Sequence, residues 1–350
     1  MKKVAIIISP NYKDYGKKYL PDFMESLRKQ DYLGEKKIYI TDNETSEESY
    51  GFLRELAPEV HIIRKELNSG FAEGNNDAMK LALEEKCEYI ILLNIDATLD
   101  KSCVSEMVKT AESDENIGAV QATMLLHQEK NIINSIGNTN HFLGFGYCLG
   151  YRQNINSVEL KVQDILYPSG AASLFKREVL EKVGLYDEVY WMYNEDQELG
   201  WKTWLAGYRC VLSPKALFYH KYEFSKSIKN YYWMDRNRII SILKCYKIPT
   251  LILIFPVFII MELGLMLFAL KTGWWKDKLK VWFFFLKPST WKYLRVERKK
   301  VQALRVVSDR KINKMIKGTI WYQEVDDVKL RLVNPIFNLY WKIVKLITIW

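Results

Sequence analysis

The chain has 350 residues, room for about two domains, and at 49% hydrophobic and 27% charged it falls outside the disordered and low-complexity classes. Its net charge of +9 is unevenly divided, 25 basic against 33 acidic residues over 1–220 and 26 against 9 over 221–350, so an acidic globular half precedes a basic one. A basic half suits nucleic acid or an anionic membrane; the apolar run 248–270, which nucleic acid cannot explain, selects the membrane and excludes a nucleic-acid partner.

In chain order, Val4 to Ile8 reads as a strand. It is too short for a signal-peptide core, which predicts a globular half that stays in the cytoplasm. Leu20, Phe23, Met24 and Leu27 have helical spacing, Ile38 to Thr41 is a second strand, and Thr45 with Glu48 predicts a capping box at the next helix. Val60 to Ile63 is a third strand, and Ala78, Leu81 and Ala82 mark another helix. The fourth strand, Tyr89 to Ile95, holds the run Ile90-Ile91-Leu92-Leu93, whose lack of alternation predicts burial on both faces. This βαβαβαβ order predicts an α/β half with a Rossmann-like, mostly parallel sheet. No Gly-x-Gly-x-x-Gly or Walker lysine loop follows the first strand, which argues against dinucleotide and P-loop enzymes.

Beyond residue 100, Gly144, Phe145, Gly146 and Gly150 predict a loop, and Tyr167 to Ala172 enters an apolar segment. Asn194 is placed to N-cap a helix with Glu195, Asp196 and Glu198 in its first turn, near the positive end of the dipole. Leu199, Trp201, Trp204 and Leu205 on that helix supply packing. The cysteines, Cys87, Cys103, Cys148, Cys210 and Cys245, are scattered without metal-ligand spacing, which predicts reduced thiols.

Asp96 ends the fourth strand at its carboxyl end, where α/β sheets bind ligands; the alternative is a strand-end acid that caps the following turn. Asp42-Asn43 and the segment Asn68 to Asn76 fall at the ends of neighbouring strands. Glycine there permits close backbone approach, and amides both donate to and accept from a base, ribose or phosphate. Three such ends predict one pocket.

Asp42-Asn43, Asn68-x-Gly70-Phe71-Ala72-x-Gly74-Asn75-Asn76, Leu93-Asn94-x-Asp96, Ser169-Gly170-Ala171-Ala172 and Tyr193-Asn194-Glu195-Asp196 resemble, in order and spacing, the family 2 inverting glycosyltransferases, especially their rhamnosyltransferase-like branch. The resemblance covers about residues 3–222. It implies a GT-A fold, a nucleotide-sugar donor and a divalent cation, Mn2+ or Mg2+. Carried over, Asp42 resembles the acid that binds base or ribose, while Pro10, Asn68, Gly70, Asn75 and Asn94 resemble the donor-binding surround. Asp96 resembles the last acid of the metal-binding Asp-x-Asp motif, whose first acid is replaced here by Asn94. His220 falls where relatives place a metal-binding histidine, and a buried structural histidine is the alternative. Asp196 resembles the catalytic base; from the residues alone it is equally a first-turn helix acid. Trp191 and Glu195 are assigned to the acceptor; Trp191, Tyr193, Trp201 and Trp204 are candidates to stack on its sugars, with core, for Trp204 at least, the reading that helical spacing favours. Arg236 and Arg238 face either a lipid-borne diphosphate or solvent.

Ile248 to Leu270 is long enough to cross a bilayer, but Pro249, Pro256, Glu262 and Gly264 interrupt it. Lys226, Lys229, Arg236, Arg238, Lys244 and Lys247 precede it, and Lys271, Lys276, Lys278, Lys280 and Lys287 follow. Positive charge on both flanks favours a re-entrant or interfacial hairpin with both ends cytosolic over a single span. Val281 to Leu286 and Pro335 to Trp350 suit amphipathic segments in the interface, or faces packed on protein. The expected organisation is a GT-A domain over 1–222 and a basic, helical, membrane-associating region over 223–350. The expected function is metal-dependent, inverting sugar transfer to a lipid-linked saccharide at the cytoplasmic face of the cell membrane, in cell-surface glycan assembly. The alternatives are a polyprenyl-phosphate sugar synthase and a catalytically silent membrane scaffold.

Overall fold

Apolar runs without alternation become the central strands. In a computed structural model, which describes residues 1–221, 230–319 and 328–350 and the side chains of all but 328–332 of these, β1 (Val4–Tyr12), α1 (Tyr15–Arg28), β2 (Lys36–Asn43), α2 (Glu47–Leu56), β3 (His61–Lys65), α3 (Gly70–Glu84) and β4 (Tyr89–Leu93) alternate as expected. β5 (Ala97–Leu99), α4 (Cys103–Glu112), β6 (Ile117–Leu126), β7 (Ile133–Ser135), β8 (Asn138–Asn140), β9 (Gly146–Cys148), β10 (Ala172–Lys176), α5 (Arg177–Val183), α6 (Glu195–Leu205) and β11 (Arg209–His220) follow. The main sheet runs β3-β2-β1-β4-β10-β6-β11-β5, with β7 on β6, and β8 pairs with β9 alone. β1 to β4 are parallel, and β10 inserts antiparallel between β4 and β6. Every residue of β4 and β6 is buried, which is why neither shows polar alternation.

Three local expectations change. The third strand starts one residue later than Val60 and runs two further than Ile63. The capping box is Ser46 with Ser49, not Thr45 with Glu48: Ser49 N–H donates to Ser46 Oγ at 3.0 Å and Ser46 N–H to Ser49 Oγ at 2.9 Å. Thr45 instead donates back to Asp42 Oδ2 at 2.6 Å, a bond within the loop between β2 and α2. Part of the glycine-rich loop is β9. All five cysteines are free thiols.

The chain forms two compact units. The first holds Met1–Asn138, Cys148–Thr203 and the chain from Tyr208 through β11; the second takes Thr139–Tyr147, Trp204–Gly207 and the chain beyond. The second unit is helical: α7 (Tyr231–Cys245), α8 (Ile248–Thr272), α9 (Trp275–Leu286), α10 (Pro288–Ala303), α11 (Asp309–Asn313) and α12 (Val328–Ile347). α8 is one uninterrupted helix, so no hairpin turn falls within 248–270. Pro249 is tolerated in its first turn, Pro256 lies inside it, and the chain reverses after it at Gly273, which adopts φ 91° as a left-handed C-cap. Of the flanking cations, Arg236, Arg238, Lys244 and Lys278 are buried, while Lys226 and Lys229 lie outside the described residues.

Candidate active site

Asp96 leaves the sheet just after β4 and lies against the end of β11, where His220 pairs with Ala97. His220 Nε2 is 3.4 Å from Asp96 Oδ1, and its Nδ1 is 2.9 Å from Asn134 Oδ1. A carboxamide oxygen only accepts, so Nδ1 carries the proton and Nε2 is turned to the carboxylate. Burial would raise the Asp96 carboxyl, but hydrogen bonds from His220 and Tyr15, with the His220 charge, hold it below the usual carboxylate range. Asn94 Oδ1 is buried with no hydrogen-bond partner. Once Nε2 has given up its proton, His220 would present a lone pair beside the Asp96 carboxylate and the unsatisfied Asn94 carbonyl, a donor set that fits a divalent cation. Among the described residues no three His, Cys, Asp or Glu side chains cluster for a metal, so two protein ligands and the Asn94 carbonyl would leave positions for phosphate oxygens and water.

The residues expected to meet the donor gather around the amino end of α3. Pro10 sits where the β1–β2 register shifts, and a Cβ on Gly74 would lie 2.5 Å from its ring, so Gly74 seats it. Asp42 is fully buried and already accepts from Asn11 Nδ2 at 2.7 Å, Thr45 Oγ1 at 2.6 Å and Ser49 Oγ at 2.7 Å. Being fully buried, it meets a base or ribose only if the surrounding side chains move aside. Asn68 Oδ1 accepts from Gly70 N–H at 2.9 Å, closing the turn into α3. Asn75 donates to Phe71 O at 2.8 Å and leaves Oδ1 buried without a partner.

Gly70 does something else. At φ 81° its missing Cβ makes room for Trp191, whose carbonyl oxygen would lie 2.5 Å from an added methyl. That carbonyl accepts from Phe71 N–H at 2.7 Å and Ala72 N–H at 3.1 Å, so the opening turn of α3 holds the backbone at Trp191. Trp191, at φ 59° and ψ −57°, is the centre of a γ-turn closed by Met192 N–H to Tyr190 O at 2.6 Å. Tyr193 and Asn194 follow at φ 66° and 67°, three non-glycine residues of positive φ in four positions. Asn76 clamps the other end, donating to Tyr186 O at 2.9 Å and accepting from Tyr186 N–H at 3.1 Å. This strained strap delivers α6.

At the start of α6, Asn194 O accepts the helix's early bond from Glu198 N–H at 3.0 Å, while the Asn194 side-chain amide donates to Gln197 Oε1. Asp196 is half-buried; Oδ2 accepts from Gly170 N–H at 3.0 Å and Oδ1 from Gln197 N–H at 2.7 Å. Burial outweighs these bonds and pushes its carboxyl up to about 6. Glu195 is buried with Oε2 unpartnered, and burial plus the Asp196 charge pushes it well above the usual range. Adjacent acids thus hold different protonation states near neutrality. Trp191 and Tyr193 are half-buried, whereas Trp201 and Trp204 are core.

Arg236 corrects its expectation. It belongs to the second unit, is 5% exposed, donates to Asn237 Oδ1 at 2.9 Å and lies over the rings of Tyr232, Trp233 and Phe284. Arg238 is buried on Asp235 and Glu262. Neither offers an exposed guanidinium to a diphosphate or to solvent. Sequence reasoning missed Asn76, Asn134 and Tyr15. Asn76 lay inside the Gly/Asn cluster, but nothing local marked Asn134 or Tyr15.

The sequence profile of glycosyl transferase family 2 matches residues 6–184. A poly-beta-1,6-N-acetyl-D-glucosamine synthase of Staphylococcus epidermidis is 25% identical over 199 residues, 56% of this chain and 45% of the synthase. The Staphylococcus aureus COL synthase of the same name is 24% identical over 184 residues, 52% of this chain and 42% of that protein, so the chain spans under half the length of these relatives. Residues 1–349 of Staphylococcus aureus TarS in complex with UDP superpose with a TM-score of 0.51 at 16% identity, covering 99% of this chain and 90% of that one. GalNAc-T7 with UDP, GalNAc and Mn2+ gives 0.52 at 14% identity, covering 70% and 48%. The shared architecture is the GT-A fold.

Proposed function

The chain belongs to glycosyl transferase family 2, and from that premise we propose that it transfers a sugar from a nucleoside-diphosphate sugar to a hydroxyl of a lipid-linked saccharide, with inversion. The observation that carries this reading is the seat of Asp196, a carboxylate fixed by two backbone N–H donors and tuned by burial to about 6. Such a group is ionised at neutral pH yet basic enough to take a proton in the transition state. Asp196 removes the acceptor hydroxyl proton as that oxygen bonds to the anomeric carbon and the bond to the diphosphate breaks on the opposite face. Glu195, held protonated, donates a hydrogen bond to the acceptor, and Trp191 offers it an aromatic face. Asn68 and Asn75 meet the donor from the α3 side. Asp96, His220 and the Asn94 carbonyl would hold Mn2+ or Mg2+, which when bound supplies charge stabilisation to the departing diphosphate.

The similarity of the chain to polysaccharide synthases, together with the apolar α8, supports a glycan acceptor handled at the cytoplasmic face of the cell membrane. The test is nucleoside-diphosphate release from a panel of sugar nucleotides with Mn2+ or Mg2+ and a membrane extract as acceptor. Asp196→Asn is expected to lose about a thousandfold in turnover while still binding nucleotide. Retained turnover removes Asp196 from the role, and no turnover by the wild-type chain returns the silent scaffold.

A further inference from the structure

The second unit turns a long apolar stripe outward. On α8, Ile252, Phe255, Ile259, Leu263, Leu267 and Leu270 recur every three or four residues, one helical face, and are 41–69% exposed. On α12, Ile336, Leu339, Ile343 and Leu346 repeat the pattern. The two helices pack together: Tyr340 Oη donates to Leu253 O, and Trp350 Nε1 to Thr250 Oγ1 at 2.9 Å. Exposed patches of this extent mark an interaction surface.

The opposite face of α8 decides how that surface is used. Glu262, just past the middle of the helix, is 6% exposed and accepts from Lys278 Nζ at 2.6 Å, from Arg238, and from Trp282 Nε1 at 3.1 Å. Asp235 completes the network, 2.6 Å from both cations. These partners come from α7 and α9, and α9 packs against both α8 and α7. At 1.5 Å per residue α8 would be about 37 Å long, enough to cross, but α9 would be only about 18 Å. A crossing α8 would draw four charges and the carboxyl end of the too-short α9 into hydrocarbon. Lying in the plane, α8 immerses its stripe and keeps the network on the protein side. Exposed Lys271 closes α8, Lys276 opens α9 and Lys342 lies on α12, cations on or next to the two striped helices, as an anionic headgroup layer requires.

We propose that the protein is monotopic, held on anionic membranes by the in-plane stripes of α8 and α12, with both ends of α8 on the same side. This deepens the membrane attachment named above and is independent of the sugar-transfer chemistry, so an Asp196→Asn chain is expected to bind membrane as wild type does. The test is flotation of the full chain with phosphatidylcholine vesicles holding about one third phosphatidylglycerol. Ile259→Asp with Leu263→Asp, one turn apart on the stripe, should lower partitioning by about tenfold or more with an unchanged melting profile. In cells, cysteines at Lys247→Cys and Lys271→Cys in a Cys148→Ser chain should react with an impermeant maleimide from one side only. Labelling from opposite sides establishes a span and overturns the proposal. So does unchanged vesicle binding by the double variant, or a wild-type dimer in solution that it dissolves, which assigns the stripe to a second copy.

Discussion

At the scale of single residues, the pair Glu195–Asp196 sets the pH response. Burial pushes Asp196 to about 6 from an ordinary 3.8, and Glu195 lies well above its usual range, through burial first and the Asp196 charge second. The base works ionised, so kcat/KM should climb through an acid limb with its midpoint near pH 6 and level off above it. A limb near pH 4 would mean that burial does not tune Asp196. Because Glu195 is protonated at neutral pH, Glu195→Gln mimics its native state and should cost about tenfold or less in turnover, far less than Asp196→Asn; initial rates at pH 7.5 decide it. The residues proposed to carry the chemistry can be picked out of the sequence because each stands at a strand or helix end within a local pattern of glycine, amide and acid. Their supports cannot. Asn134 orients His220 from 86 positions away and Asn76 holds Tyr186 from 110, and such bonds exist only once the sheet has formed.

At the scale of elements, α3 is the bench on which both halves of the site are assembled. Its first turn borders the donor loop and also holds the Trp191 carbonyl, while Asn76 fixes the strap nearer its origin. Gly70→Ala puts a methyl 2.5 Å from that carbonyl at a φ of 81°, so the strap must shift and carry α6 with it. An ångström of displacement at the base is expected to lower kcat by about a hundredfold with much less change in the donor KM, measured by steady-state kinetics. The same logic of remote support governs α8. Glu262 looks misplaced in an apolar helix until α7 and α9 bring Arg238 and Lys278 to it. Removing one member strands the others in the interior, so Glu262→Ala should destabilise the protein by about 3–5 kcal/mol. Its urea midpoint in mild detergent checks this, and an unshifted midpoint would show that the network is hydrated.

At the scale of the whole molecule, the charge division at residue 220 and the βαβ order made two regions and an α/β sheet legible, because composition and periodicity are local properties. The insertion of antiparallel β10 between β4 and β6, and the share of the amino-terminal half that joins the helical unit, are long-range pairings that no local pattern records. The second of these has a measurable consequence. Thr139–Tyr147 and Trp204–Gly207 belong to the second unit. Within it, Phe142 stacks on Trp341 at 5.0 Å, and Leu205 O accepts from Val306 N–H at 2.8 Å. A fragment of residues 1–222 holds the whole sheet yet strips Phe142 and Leu205 of these neighbours, leaving a large aromatic side chain and a backbone carbonyl to water. We expect this fragment to lack a single cooperative melt and to aggregate, whereas the full chain in detergent melts cooperatively; scanning calorimetry with light scattering distinguishes them. A soluble, cooperatively melting fragment would establish instead that the sheet half folds alone and that the helical unit contributes attachment without stability.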